Sequence, residues 1–151
     1  MATLASGTYI PSELIGLIIS YVHSPKHLIS ISLVSRAWQQ LAYPVLWYQV
    51  ELNGASAMER FITAIQSEPQ DASLRISQHV RVLFVLRAME SYVMADFRRI
   101  IPKLSTLKHL TWHANFPIDL SIFDEIQQYC PNIRSFDFGY GGISPLTGAL
   151  G

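Results

Sequence analysis

Between Ile10 and Leu46 the apolar positions fall into three short runs at helical period. Leu14, Ile15, Ile18, Ile19 and Val22 stand at i, i+1, i+4, i+5 and i+8. That spacing predicts an amphipathic helix with Pro11 in its first turn, where a missing backbone N–H costs little. Ser24-Pro25 has the form of a cap followed by proline at the first helical position, and predicts a second helix with Leu28 and Ile31 on its apolar face. Ser32 or Ser35 can cap a third helix bearing Trp38 and Leu41. Tyr43-Pro44 is expected to end it, because the residue before proline is pushed out of the helical region.

Past Leu46-Trp47 the pattern changes. Apolar-x-x-apolar-x-apolar occurs four times, at Trp47-Val50-Leu52, Val80-Leu83-Val85, Leu107-Leu110-Trp112 and Ile133-Phe136-Phe138. Between the copies, Phe61, Ile62 and Ile65, then Phe97, Ile100 and Ile101, then Phe123, Ile126 and Tyr129 recur at helical spacing. Glu68-Pro69, Ile101-Pro102 and Cys130-Pro131 punctuate the expected helix ends. Phe97 with Phe123, Ile100 with Ile126, Leu104 with Cys130, Leu107 with Ile133 and Leu110 with Phe136 all differ by an offset of 26. The pattern resembles degenerate leucine-rich repeats, whose units bury a core only by stacking on their neighbours. The fold class expected is α/β: a short all-helical N-terminal module, residues 8–46, fused to a short leucine-rich-repeat-like solenoid with a small parallel sheet, residues 47–138 in about three strand-helix units. Trp47, Val50 and Leu52 serve both patterns, so the two parts are expected to join without a flexible linker. Residues 139–151 are small and turn-forming and read as a flexible tail with no cap. A truncated product, a fragment of a larger protein and partner-dependent stability all remain open for such an end.

If alternation along the strands puts Val50, Leu83, Leu110 and Phe136 inward, two ranks point outward: Gln49, Val82, His109 and Ser135, then Glu51, Phe84, Thr111 and Asp137. Phe84, His109, His113 and Asp137 are the candidate target-binding residues on that ladder. Val82, Phe84 and Leu86 are apolar where a solvated strand would be polar. This strand is therefore either buried on both faces or part of an exposed binding patch.

The order Ile10-Pro11, Glu13-Leu14, Tyr21-Val22, Leu28, Leu33-Val34, Arg36, Trp38 and Leu46-Trp47 resembles an F-box. That family usually opens Leu-Pro where this chain has Ile10-Pro11, and usually has cysteine where it has Ser35. The resemblance implies docking on a Skp-type adaptor and, through it, a cullin. Carried over, it implies Ile10, Pro11, Leu14, Leu28 and Val34 as the adaptor-binding face, with Trp38 and Trp47 in the core. An F-box followed by degenerate leucine-rich repeats is similar to proteins common in fungi.

Composition narrows the alternatives. The chain has 151 residues, 50% hydrophobic and 15% charged, which suits one ordinary domain or two small ones. Eleven basic and eleven acidic residues cancel, leaving no electrostatic footprint for nucleic acid or an anionic membrane. The single cysteine, Cys130, excludes an intramolecular disulfide and fits a reducing compartment. Residues 1–6 carry no basic leader and the run from Leu14 to Val22 is far short of a membrane span. An intracellular, cytoplasmic or nuclear protein is expected.

The candidate chemistry is thin. His109 and His113 would be a metal pair on a helix, but on a strand they lie about 13 Å apart. His23, His27 and His79 have no cysteine or carboxylate at ligand spacing. Cys130 matches Leu104 in the repeat and reads as core, not as a nucleophile. Gly139, Gly141 and Gly142 suggest a phosphate loop, yet Ser144 stands where the dinucleotide fingerprint needs glycine and no P-loop lysine follows. Asp119, Asp124 and Glu125 look like helix-start and solvated-face residues. No catalytic residue, metal or cofactor is expected. The F-box resemblance thus implies a non-catalytic substrate receptor of a cullin-RING ubiquitin ligase whose repeats hold a target protein. The alternatives are a repeat scaffold with no ligase role, and a fragment of a larger α/β enzyme whose catalytic residues lie beyond Gly151.

Overall fold

The computed structural model describes residues 2–3, 9–87, 91–113, 119–140 and 143–149. Two compact units divide the chain between Tyr48 and Gln49.

The first unit holds a two-residue antiparallel pair, β1 (Ala2–Thr3) and β2 (Tyr9–Ile10), followed by α1 (Ser12–Ser20), α2 (Pro25–Ser32) and α3 (Arg36–Leu46). Pro11 stands at the N-cap of α1, one residue before the position expected, and Pro25 opens α2. Ser35 caps α3, its side chain accepting from the Trp38 backbone N–H at 3.3 Å. The helix runs through Pro44, contrary to the sequence expectation. Pro44 lies in the last turn, so the ring removes one N–H donor while the turn still closes through Trp47 N–H donating to Tyr43 O at 2.9 Å. Ile15, Ile19, Leu28 and Ala42 form the buried centre, with Ile10, Val22, Ile31, Trp38, Leu41, Val45 and Leu46 packed around it.

The second unit repeats strand and helix: β3 (Gln49–Asn53), α4 (Ala55–Gln66), β4 (Val82–Leu86), α5 (Ser91–Ile100), β5 (His109–His113), α6 (Ser121–Tyr129), β6 (Ser135–Tyr140) and β7 (Ile143–Ala149). The sheet order is sequential, β3-β4-β5-β6-β7, with the first four strands parallel. Parallel neighbours need a crossover, and among the described residues one α-helix lies in each connection between parallel strands, as the alternating periodicities demand. Gly54, with φ of 84°, makes the turn from β3 into α4, a left-handed conformation that a side chain would strain. One face of the strands, Val50, Leu52, Leu83, Val85, Leu110, Trp112 and Phe136, is buried together with Met58, Phe61, Ile62 and Ile65 of α4, Val93, Phe97 and Ile100 of α5, and Ile122 and Ile126 of α6. The Phe97 ring lies 5.5 Å from Trp112, and the Phe123 ring 5.6 and 4.6 Å from Phe136 and Phe138. These contacts add to the area buried.

The helices of successive units are also tied on their outer side. Arg98 of α5 donates to Glu125 of α6 (Nε to Oε1, 2.9 Å) and to Ser121 Oγ (2.9 Å), and sits 3.5 Å from Asp119. The hydrogen bond to Glu125 keeps the guanidinium protonated more firmly than usual. Hydrogen bonds from Ser121, more than the charge of Arg98, hold Asp119 below the usual carboxylate range.

Two expectations change at the ends of the strand array. Trp47 belongs to the close of α3 and not to a strand, since β3 begins at Gln49. The expected flexible tail instead supplies β7, antiparallel to β6 in the register Tyr140↔Ile143, Phe138↔Leu146 and Asp137↔Thr147. Between the first two pairs, Ser144 and Pro145 oppose Gly139 alone, so proline falls in an irregularity on an edge strand, where its missing N–H removes no necessary ladder bond. Of the expected tail, residues 141–142 and 150–151 lie outside the described residues.

Candidate functional site

Two surfaces carry the sequence candidates. In the helical unit, burying Ile15 and Ile19 turns the other side of α1 outward, leaving Leu14, Leu17, Ile18 and Tyr21 exposed. Ile29 on α2 is exposed too, as are Leu33 and Val34 just beyond it, the last two at 78% and 65%. Of the residues implied for the docking face, Leu14 (51%) and Val34 are exposed, and Ile10 and Pro11 are half-buried. Leu28 is in the core at 4% exposure, because its face of α2 is the one that meets Ile15, Ile19 and Ala42. Leu17, Ile18, Tyr21 and Leu33 are exposed as well, although the sequence did not single them out for that face. Their signal was an apolar stripe too wide for one buried face, with apolar residues at 14, 15, 17, 18 and 19.

In the second unit, the face of the sheet opposite the core carries the ranks read from the sequence. Gln49 pairs with Val82, Val82 with His109, and His109 with Ser135; Glu51 pairs with Phe84, Phe84 with Thr111, and Thr111 with Asp137. A further rank sets Asn53 beside Leu86 and Leu86 beside His113. Val82, Phe84 and Leu86 are half-buried, between the two states expected for them. His109 Nδ1 and Ser135 Oγ share a hydrogen bond of 2.6 Å, and His113 Nε2 lies 3.4 Å from Asp137 Oδ2. The other carboxylate oxygen of Asp137 is buried and without a hydrogen-bond partner. The four candidates therefore share a face, with His113 and Asp137 in contact, His109 held by Ser135, and Phe84 in the rank of Asp137.

Gly139 is part of this arrangement, although the sequence suggested only a loose exit. A Cβ there would lie 2.8 Å from His113 Cδ2 and 3.0 Å from Nε2, so the imidazole packs directly over the Gly139 backbone. Glycine lets the ring tilt toward Asp137. The signal was positional: residue 139 is offset by 26 from His113.

Cys130 is buried at 1% exposure, like Leu104, its partner in the repeat, with Sγ 4.0 Å from Ile101 O. Burial pushes its thiol up from 9.0 to about 11. The folded state thus holds the proton more tightly than the unfolded chain. Its contribution to stability is complete below pH 9 and falls as the pH rises toward 11. Alkylation of the native protein at pH 8 is expected to be far slower than that of the urea-unfolded chain, a comparison mass spectrometry reads directly; equal rates would contradict a buried thiol. Among the described residues no three His, Cys, Asp or Glu side chains are grouped so as to hold a metal ion, and no helix is long and apolar enough to cross a membrane.

No curated protein matches the chain. A family model, F-box-like, matches residues 8–53, a span covering α1, α2 and α3 and ending on the last residue of β3. The N-terminal helices, with their exposed apolar face, are an F-box-like domain.

Proposed function

We propose that the chain is the substrate-receptor subunit of a cullin-RING ubiquitin ligase, docking on a Skp-type adaptor through its F-box-like helices and holding a target protein on the outward face of its sheet. The observation that carries this reading is the set of large apolar side chains left in water on the matched domain: Leu14, Leu17, Ile18, Tyr21, Leu33 and Val34. Apolar surface gathered on so small a domain is costly to expose and marks a place where another protein binds. We read the sequential strand-helix array as degenerate leucine-rich repeats, supported by its in-phase register. Phe84, His109, His113 and Asp137 are the target contacts. The role is positional and non-catalytic: holding a target near a ubiquitin-charged enzyme raises the effective concentration of its lysines. It places the protein in the cytoplasm or nucleus.

Copurification of the intact chain with a Skp-type adaptor and a cullin tests the reading. A stoichiometric ternary complex is expected. A folded chain that remains monomeric beside the adaptor would overturn the ligase role and leave a repeat scaffold.

A further inference from the structure

The connections that lead from helix to strand in the second unit border a half-open polar cavity of about 460 Å³, lined by Glu68, Gln70, Arg75, Gln78, Lys103 and Ser105, with Pro69, Ser77 and Pro102 completing its wall. It lies between the segment joining α4 to β4 and the segment joining α5 to β5. Its wall is fixed by bonds that involve no ligand. Glu68 accepts from the Ser77 backbone N–H at 2.5 Å and from Ser77 Oγ at 2.8 Å, and Thr106 Oγ1 donates to Ser77 O at 3.0 Å. Ser77 is 1% exposed, so this clamp is rigid. At the next pair of connections, Asn132 Nδ2 donates to Ser105 O at 3.1 Å and ties the segments together.

The two cations of the cavity are held by neutral acceptors. Arg75 donates from Nε to Pro69 O (3.0 Å) and from Nη2 to Gln70 O (2.7 Å), while Lys103 Nζ donates to Ile65 O at 2.9 Å. Neither makes an ion pair among the described residues. The single carboxylate of the lining, Glu68, has both oxygens engaged by Ser77. These backbone carbonyls fix where the side chains sit, and with the Glu68 carboxylate in the same lining the two cations leave the wall with a net charge of +1 (two cations less one carboxylate). Lys103 retains two ammonium hydrogens and Arg75 its Nη1 group for an acceptor. An oxyanion between them would gain charge-assisted hydrogen bonds from groups already oriented, with the amides of Gln70 and Gln78 and the hydroxyl of Ser105 as neutral donors. A cavity of this size suits a small molecule.

We propose that this cavity binds a small polar molecule through one oxyanion group, a phosphate or a carboxylate, taken between Arg75 and Lys103. The test is a titration of the full isotopically labelled chain with inorganic phosphate, O-phosphoserine and acetate at constant ionic strength in chloride, following the amides of Ser77, Gln78, Lys103 and Ser105. Saturable shifts with a dissociation constant on the order of 1 mM are expected. Lys103→Gln, which keeps a donor for Ile65 O but loses the charge, should weaken binding about tenfold, whereas Lys103→Arg should restore it. Phosphate and phosphoserine binding without acetate would identify a phosphate ligand; binding of acetate would extend the site to carboxylates. Shifts that stay linear for all three anions, or that saturate equally in wild type and Lys103→Gln, would overturn the proposal.

Discussion

Phe97→Ala is expected to destabilise the sheet-bearing unit by about 3–5 kcal/mol, a large part of the roughly 5–15 kcal/mol that holds a domain of this size together. Phe97 is 1% exposed, sits on the inner face of α5 between Val93 and Ile100, and covers the Trp112 ring. Alanine there leaves a ring-sized cavity that α5 can close only by moving against β4 and β5. One effect opposes the loss. The indole N–H of Trp112 is buried without a partner, a standing cost of about 1–3 kcal/mol, and water admitted by the cavity would relieve part of it. Urea unfolding followed by the amide signals of α5 and β5 should show a midpoint lowered by about 1–3 M. A shift well below that would mean that Phe97 is not packed as described.

The reasons Phe97 could be found from the sequence also mark where such reading stops. A constant offset of 26 relating Phe97 to Phe123 and Leu110 to Phe136 fixes both which helix face is inward and which strand residues are neighbours. The outward ranks through His109-Ser135 and Thr111-Asp137 could therefore be written down in advance and appear in the register. Period-two alternation leaves no freedom once one face is buried. β7 was not legible in the same way. Ile143 to Ala149 contains Pro145 and Gly148 and has no alternation to read. What places it in the sheet is backbone pairing with β6, to which side-chain identity contributes little.

Leu28 and Pro44 sit differently from the sequence expectation for related reasons. Residues implied for the adaptor face by resemblance were carried over by position, yet only three-dimensional packing decides which side of an eight-residue helix meets the core, and Leu28 faces Ile15, Ile19 and Ala42. The rule that proline ends a helix is local, whereas α3 is held by the burial of Ala42 and the packing of Trp38, Leu41, Val45 and Leu46 against that same centre. One lost hydrogen bond in a final turn does not outweigh a buried face.

The separation of core from face at α1 and α2 makes the docking reading testable by a contrast between two kinds of variant. Leu14→Asp together with Val34→Asp should leave the fold intact, because both side chains are exposed and residue 14 lies in the first turn of α1, where a carboxylate faces the positive end of the helix. Surface changes of this kind are worth within about 0.5 kcal/mol in stability. At an interface the same changes bury two unpaired charges. Central contact residues commonly contribute about 2 kcal/mol or more each, so the pair should weaken adaptor binding about a thousandfold, from complete capture to none at micromolar protein. Leu28→Ala should behave in the opposite way. It removes core packing and costs about 2–5 kcal/mol, so adaptor is lost only in proportion to the fraction unfolded and returns on cooling. Calorimetric titration of each variant into a Skp-type adaptor, beside its thermal melt, separates the two outcomes. Retention of wild-type affinity by the double aspartate variant would move the docking surface off this face. Loss of binding with an unchanged melt would locate it there, because no remaining route connects two exposed side chains to the adaptor except contact.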